Sequence, residues 1–277
     1  VELGTMMHIA RQQMTLIMRS HWLAGFGLLF SSLAVMVAFL GNTGGTGFDG
    51  FNRMTASLLN VNLLLIPLLS LLIGSLFLSG DKEDRGLMLL LTYPVSPWAV
   101  ILGKYAGLFA AVWSVLTFGY GAALLVIFFV GGSVSVSLLL LFYLYSVLLA
   151  AIFLSMAMMI GIMAKSRFQA LGVSLIVWAF LVLFYEFIIM GASMFMMKQW
   201  ILPMLTASIF LNPVELIRVQ SILSLDGASV FGPRLYDLTI WADGSAGKVL
   251  FAVAVFLWTV LPVLYSVRRI KRGAVDE

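Results

Sequence analysis

Apolar residues fall along this chain in six long runs, at about residues 22–40, 58–79, 98–130, 134–164, 168–190 and 249–267. A helix rises about 1.5 Å per residue, so about 20 apolar residues cross a hydrocarbon core of about 30 Å. In lipid every backbone N–H and C=O must be satisfied internally, and helices achieve this. The pattern therefore predicts an all-α integral membrane protein with six transmembrane helices. An even number of crossings returns both ends of the chain to one side.

The stretches between the runs are read by their own periodicity. In residues 1–21, Leu3, Met6, Met7, Ala10, Met14, Ile17 and Met18 recur at three- and four-residue steps, which predicts an amphipathic helix in the interface plane. The first run ends in the glycine-rich GNTGGTG, and Pro67 is expected to kink the second. The third run would make a helix of about 50 Å, long enough to protrude, tilt or bend near Gly119 and Gly121. A short link at 131–137 predicts that the third and fourth helices are antiparallel neighbours. Residues 191–248 hold two apolar pieces, 201–210 and 213–225, too short to span and separated by the helix-start signal Asn212-Pro213; they predict re-entrant or interfacial helices. The chain thus divides into an interfacial helix (1–21), five spans (22–190), an outer helical segment (191–248), a last span (249–267) and a basic tail (268–277).

Composition agrees with this division. The 277 residues are 62% hydrophobic and 10% charged, with a mean hydropathy of +1.09, too little charge to cover a soluble domain. Cysteine is absent, which excludes disulfides, a thiolate nucleophile and Cys-type metal sites. The two histidines, His8 and His21, offer no pair at helical spacing for a zinc hydrolase. A net charge of +4 is too small to indicate a nucleic-acid partner. The first run is too long for a signal-peptide core, so it is expected to stay as an anchor.

Where the positive charges lie sets the expected orientation. Arg11, Arg19, Lys82, Arg85, Lys104, Lys165, Arg167, Arg268, Arg269, Lys271 and Arg272 fall on one side; Arg53, Lys198, Arg218, Arg234 and Lys248 fall on the other. The positive-inside rule places the larger group, and both termini, in the cytoplasm.

Candidate chemistry is sparse. Asp243-Gly244-Ser245-Ala246-Gly247-Lys248 ends in Gly-Lys but lacks the upstream glycine and following Ser/Thr of a phosphate-binding loop. No glycine-flanked serine elbow is present and no histidine lies within the later spans, so no catalytic residue is assigned. Glu186 is the carboxylate inside a predicted span: it is either wetted at the outer boundary or in contact with a substrate or a basic residue such as Lys198. Glu215 and Arg218, three apart after Pro213, are placed to pair locally or to serve an outer gate with Glu186 and Asn212. Met194, Met196 and Met197 are candidate thioether ligands for a soft ion such as Cu(I).

The stronger signal lies between the second and third runs. Asp81, Lys82, Glu83, Asp84 and Arg85 present both signs of charge, Gly86 opens a short apolar stretch through Leu89 and Leu90, and Pro94 and Pro97 stop it. A short helix with a charged entrance fits a groove on a partner and can move the two spans that it joins. A merely solvated connector would not need the apolar residues 87–91.

Glu83-Asp84-Arg85-Gly86, Leu89-Leu90, Pro94-Val95-Ser96 and Gly103-Lys104 together resemble the coupling segment of permeases of the ABC-2 exporter family, and the likeness extends over the whole chain. Asn212-Pro213-Val214-Glu215 followed by Arg218-Val219 is similar to family members that serve maturation of nitrous oxide reductase. The resemblance implies a type V permease fold and a homodimer in the bacterial inner membrane, with two cytoplasmic ATPase subunits engaging residues 80–97. It further implies that ATP and Mg²⁺ bind those partners while this chain holds no cofactor, that a periplasmic accessory protein joins the assembly, and that the system supports a copper–sulfur centre, with a sulfur species as cargo. Two other readings stay open: a scaffold passing force to a periplasmic partner without moving a solute, and a secondary transporter or channel.

Overall fold

The computed structural model describes residues 2–43, 53–130, 136–225, 240–242 and 244–272. Among these the fold is all-α: α1 (Glu2–Met18), α2 (His21–Thr43), α3 (Arg53–Glu83), α4 (Gly86–Thr92), α5 (Pro97–Val130), α6 (Val136–Met163), α7 (Arg167–Trp178), a π-helical turn (Ala179–Phe184), α8 (Tyr185–Phe195), α9 (Lys198–Leu211), α10 (Pro213–Leu223) and α11 (Ser245–Lys271). Helices α3, α5, α6, the joined α7–α8 rod and α11 are long and apolar enough to cross a membrane. The 23 residues of α2 extend about 35 Å, enough for a sixth crossing. The pair α9–α10 is bent by 105° and forms a corner rather than a straight rod.

Helices α3 and α6 are the most enclosed of the spans, and α7–α8 and α11 the least. Small residues explain why the first two meet so closely. A Cβ on Gly74 would lie 2.5 Å from Ala157 Cβ, and one on Gly161 would lie 2.9 Å from Leu78 Cβ. In lipid the hydrophobic effect does not draw helices together, so backbone approach through small residues and interhelical hydrogen bonds sets the pairing.

Side chains of one span bond backbone carbonyls of another, in one case a carbonyl that a proline leaves free. Pro262 has no N–H to offer Trp258 O, which instead accepts from Ser155 Oγ of α6 at 3.1 Å. Leu64 O of α3, one residue past the carbonyl that Pro67 leaves open, accepts from Trp178 Nε1 of α7 at 3.0 Å. Each such bond fixes one span against another at a defined height.

Packing decides three further details. α5 runs unbroken from Pro97 to Val130, with no interruption at Gly119 or Gly121. Gly119 instead makes room for α2, because a Cβ there would lie 2.6 Å from the Phe30 ring. α1 packs inward through Ile9, Gln13 and Ile17, which are buried, whereas Leu3, Met7 and Met18 are exposed. The reason is a groove on α5 made by Gly103 and Gly107, four residues apart. A Cβ on Gly107 would lie 2.5 Å from Ala10 O, so α1 packs directly onto that stripe. Finally, Arg268, Arg269 and Lys271 lie in the last turn of α11, and residues 273–277 of the basic tail lie outside the described residues.

Candidate functional site

The charged segment at the basic end is built from three pieces rather than one lever. Asp81, Lys82 and Glu83 are the last turn of α3, which continues past the apolar run. Arg85 takes left-handed backbone angles (φ 58°, ψ 11°), the one positive φ of a non-glycine among the described residues, and breaks the helix. Its carbonyl then accepts from Leu89 N, starting α4 at Gly86. Leu87 is fully buried beneath α4 while Leu89 is 64% exposed; Leu90 is half-buried, and Pro94 lies in the extended link that follows. Pro97 does not terminate α4. It opens α5 behind Ser96, whose Oγ accepts from Ala99 N at 3.2 Å as an N-cap.

Ion pairs and hydrogen bonds tie this corner to four other helices. Lys104 of α5 is buried; its Nζ lies 2.5 Å from Asp81 Oδ2 and 3.2 Å from Gln13 Oε1 of α1. Lys82 Nζ donates to Ile162 O, one of the carbonyls left open at the end of α6, at 3.2 Å. Arg167, the first residue of α7, donates its backbone N–H to Glu83 Oε2 at 3.0 Å and its guanidinium to Asp84. Gly80 makes that possible, since a Cβ there would lie 2.8 Å from Arg167 Nε. Lys271 of α11 sits 5.8 Å from the centre of the Trp98 ring. The exposed pairs at Arg167 contribute little stability singly, whereas buried Lys104 depends on its partners. Together they make α4 the exposed cap of a corner to which α1, α3, α5, α6 and α7 are tied.

At the opposite end the α9–α10 corner is bound to the spans. Asn212 Oδ1 accepts from Val214 N at 2.9 Å, capping α10 ahead of the buried Pro213. Its Nδ2 donates at 2.8 Å to Leu181 O, within the π-helical turn. A π-turn shifts the i to i+4 ladder and leaves such a carbonyl available. Two of the last carbonyls of α9 are satisfied from neighbouring spans: Ser208 O by Tyr185 OH at 2.8 Å and Phe210 O by Trp258 Nε1 at 3.0 Å.

Glu186, on the first turn of α8, bonds Arg218 and not Lys198. Arg218 Nη1 is also 3.1 Å from Glu215 Oε1, so one guanidinium joins two carboxylates from different elements. Beside them, between α8, α9, α10 and the start of α11, lies a cavity of about 430 Å³. Met194 lies on the last turn of α8, with Met196 and Met197 at the junction to α9, all exposed. Among the described residues no cluster of three or more His, Asp or Glu is placed to hold a metal ion.

Lys104 and Arg167, which in the sequence count toward orientation, are each a partner of the charged segment. A basic residue near the end of a span, on the same side as an acidic cluster, was the available signal. The polar chain inside the bundle carried none: Asn62 Nδ2 donates to Tyr120 OH at 2.6 Å, and Tyr120 OH bonds Ser146 Oγ at 2.7 Å.

Five to six apolar spans with an exposed short helix at the head of α5 make a multi-pass membrane protein, and comparison with known families gives its class. The profile of the "ABC-2 family transporter protein" group matches residues 7–273, and the chain belongs to that family. It is similar to the "Probable ABC transporter permease protein NosY" of Stutzerimonas stutzeri, 28% identical over 265 residues covering 94% of this chain and 95% of the relative. The protein of the same name in Pseudomonas aeruginosa is 29% identical over 269 residues, covering 94% and 96%. The chain is thus a multi-pass permease subunit of an ABC transporter.

Proposed function

We propose that this chain works in the bacterial inner membrane as a homodimeric permease with two cytoplasmic ATPase subunits, in maturation of the copper–sulfur centre of nitrous oxide reductase, with a sulfur species as cargo. ATP and Mg²⁺ belong to the ATPase subunits. The observation that carries the energy-coupling part is the clamp around α4: Asp81 to Lys104, and Glu83 and Asp84 to Arg167. A force applied to exposed Leu89 and its neighbours on α4 reaches α3 and α5 through the chain, and α7 and α1 through these polar links. The distribution of basic residues supports a cytoplasmic position for α4. Likeness to NosY permeases supports the maturation role.

The test is charge exchange. Asp84→Arg and Arg167→Asp are each expected to lower ATPase activity in the complex, and the double exchange to restore part of it. Unchanged copurification and hydrolysis in both single variants would remove the coupling role.

A second reading is favoured by the bonds at the other end. Because Tyr185, Asn212 and Trp258 tie α9 and α10 to the spans, motion at the basic end can reach a periplasmic partner without a solute crossing. ATP-dependent flux of sulfide or polysulfide in sealed vesicles supports transport; remodelling of the partner without flux supports the scaffold.

A further inference from the structure

We propose that the cavity beside Glu186 and Glu215 is a binding site for an organic cation: an ammonium-type group carried on an apolar body. The cavity of about 430 Å³ lies within the range of small-molecule sites, and its walls are mostly apolar. Tyr185, Phe210, Trp241 and Phe251 contribute aromatic side chains from four elements or segments. Phe210 and Trp241 meet edge to face, ring centres 6.5 Å apart, and Tyr185 is held in place by its bond to Ser208 O. Aromatic faces with a carboxylate close by attract a weakly hydrated cation, because ring quadrupoles and the negative charge act in the same direction.

The charge balance selects the sign. Glu186 and Glu215 line the cavity, while Arg218, which joins them, is not among its lining residues. Burial raises the Glu215 carboxyl to about 7, so above that pH two carboxylates face one guanidinium and one negative charge is left over, and among the described residues no basic side chain lines the cavity. Glu215 has only 17% of its side chain exposed, so once ionised its charge acts through a poorly solvated wall. Anions are disfavoured there, and a sulfide or polysulfide cargo would take another route. The site does not depend on the transport reading, since binding needs no ATPase.

The same chemistry is found in ammonium-headed lipids and in water-soluble hydrophobic cations. The experiment uses the full chain purified in dodecyl maltoside, an uncharged detergent, with radiolabelled tetraphenylphosphonium as probe and hexyltrimethylammonium as competitor. Saturable binding, displaced by the alkylammonium and not matched by the size-equivalent anion tetraphenylborate, is expected. At pH 8, where Glu215 is mostly ionised, Glu186→Gln and Glu215→Gln should each weaken binding about tenfold. Ile209→Trp, which fills the cavity without changing charge, should abolish it. Displacement by added phosphatidylethanolamine but not phosphatidylglycerol assigns the natural ligand to lipid; failure of both to displace assigns it to a soluble cation. Both results support the site. Equal binding of the cation and the anion, no saturable binding of either cation, or unchanged binding in the carboxamide variants or in Ile209→Trp would overturn it; the comparison of anion and cation on the unmutated chain needs no variant to fold.

Discussion

Ser155 on α6 donates its hydroxyl to the backbone carbonyl of Trp258 on α11, 3.1 Å away, at the place where Pro262 removes the N–H that would have served it. Ile152 O on its own helix, 2.7 Å away, shares the same hydroxyl hydrogen, so the serine makes a three-centre bond between the two helices. Ser155→Ala should lower stability by about 1 kcal/mol through the orphaned carbonyl. In a Pro262→Ala background the same change should be nearly neutral, because the restored N–H serves Trp258. Thermal unfolding of the four proteins of this cycle in detergent measures the coupling.

Lys104 is buried between Asp81 and Gln13, and its charge is tolerated only because both are present. Asp81→Ala should cost about 2–3 kcal/mol, less than for a wholly enclosed pair because Asp81 remains partly wet. Lys104→Met combined with Asp81→Asn should recover most of that loss by removing both charges. Denaturant midpoints of the single and double variants check the expectation.

Gly107 admits α1 to the face of α5. Gly107→Leu cannot be absorbed by a side-chain shift, since the obstructing atom is the backbone carbonyl of Ala10, and should cost about 1–3 kcal/mol. Detached α1 should be cut faster by trypsin at Arg11 and Arg19, while the same change at Gly121, which faces open space, should leave the cleavage rate unaltered.

Arg85 holds a conformation that glycine adopts without strain. Arg85→Gly should stabilise the α3–α4 corner, by about 1 kcal/mol at most after the added backbone entropy of glycine is offset. Arg85→Val, β-branched at the same angles, should destabilise it. Hydrogen exchange of the Leu89 amide, bonded to Arg85 O, reports the difference.

With no native cysteine, single labels report orientation directly. A membrane-impermeant maleimide should reach Leu89→Cys only from the cytoplasmic side and Met197→Cys only from the opposite side; both parent residues are exposed. Labelling in the reverse sense would overturn the positive-inside assignment.

The placement of the spans was legible in the sequence because transfer of an apolar run into lipid is a local property that needs no knowledge of neighbours. The break before α10 was equally legible, since Asn212 caps and Pro213 starts a helix by their own chemistry. Helix ends were less so. α3 runs through its charges to Glu83 because Lys104, Ile162 O and Arg167 receive them, and those partners are distant in the chain.

The sequence by itself thus determined which segments enter the bilayer, where the short α4 falls and which end is basic. Tertiary structure decided which faces meet. α5 and α6 are apolar almost all round, so periodicity does not distinguish lipid from protein on their surfaces. Facing is set instead by glycine grooves, a carbonyl freed at a proline and charges needing a partner, as when Arg218 joins Glu186 to Glu215 from two separate helices. Those are relations between segments, and they exist only once the helices are packed.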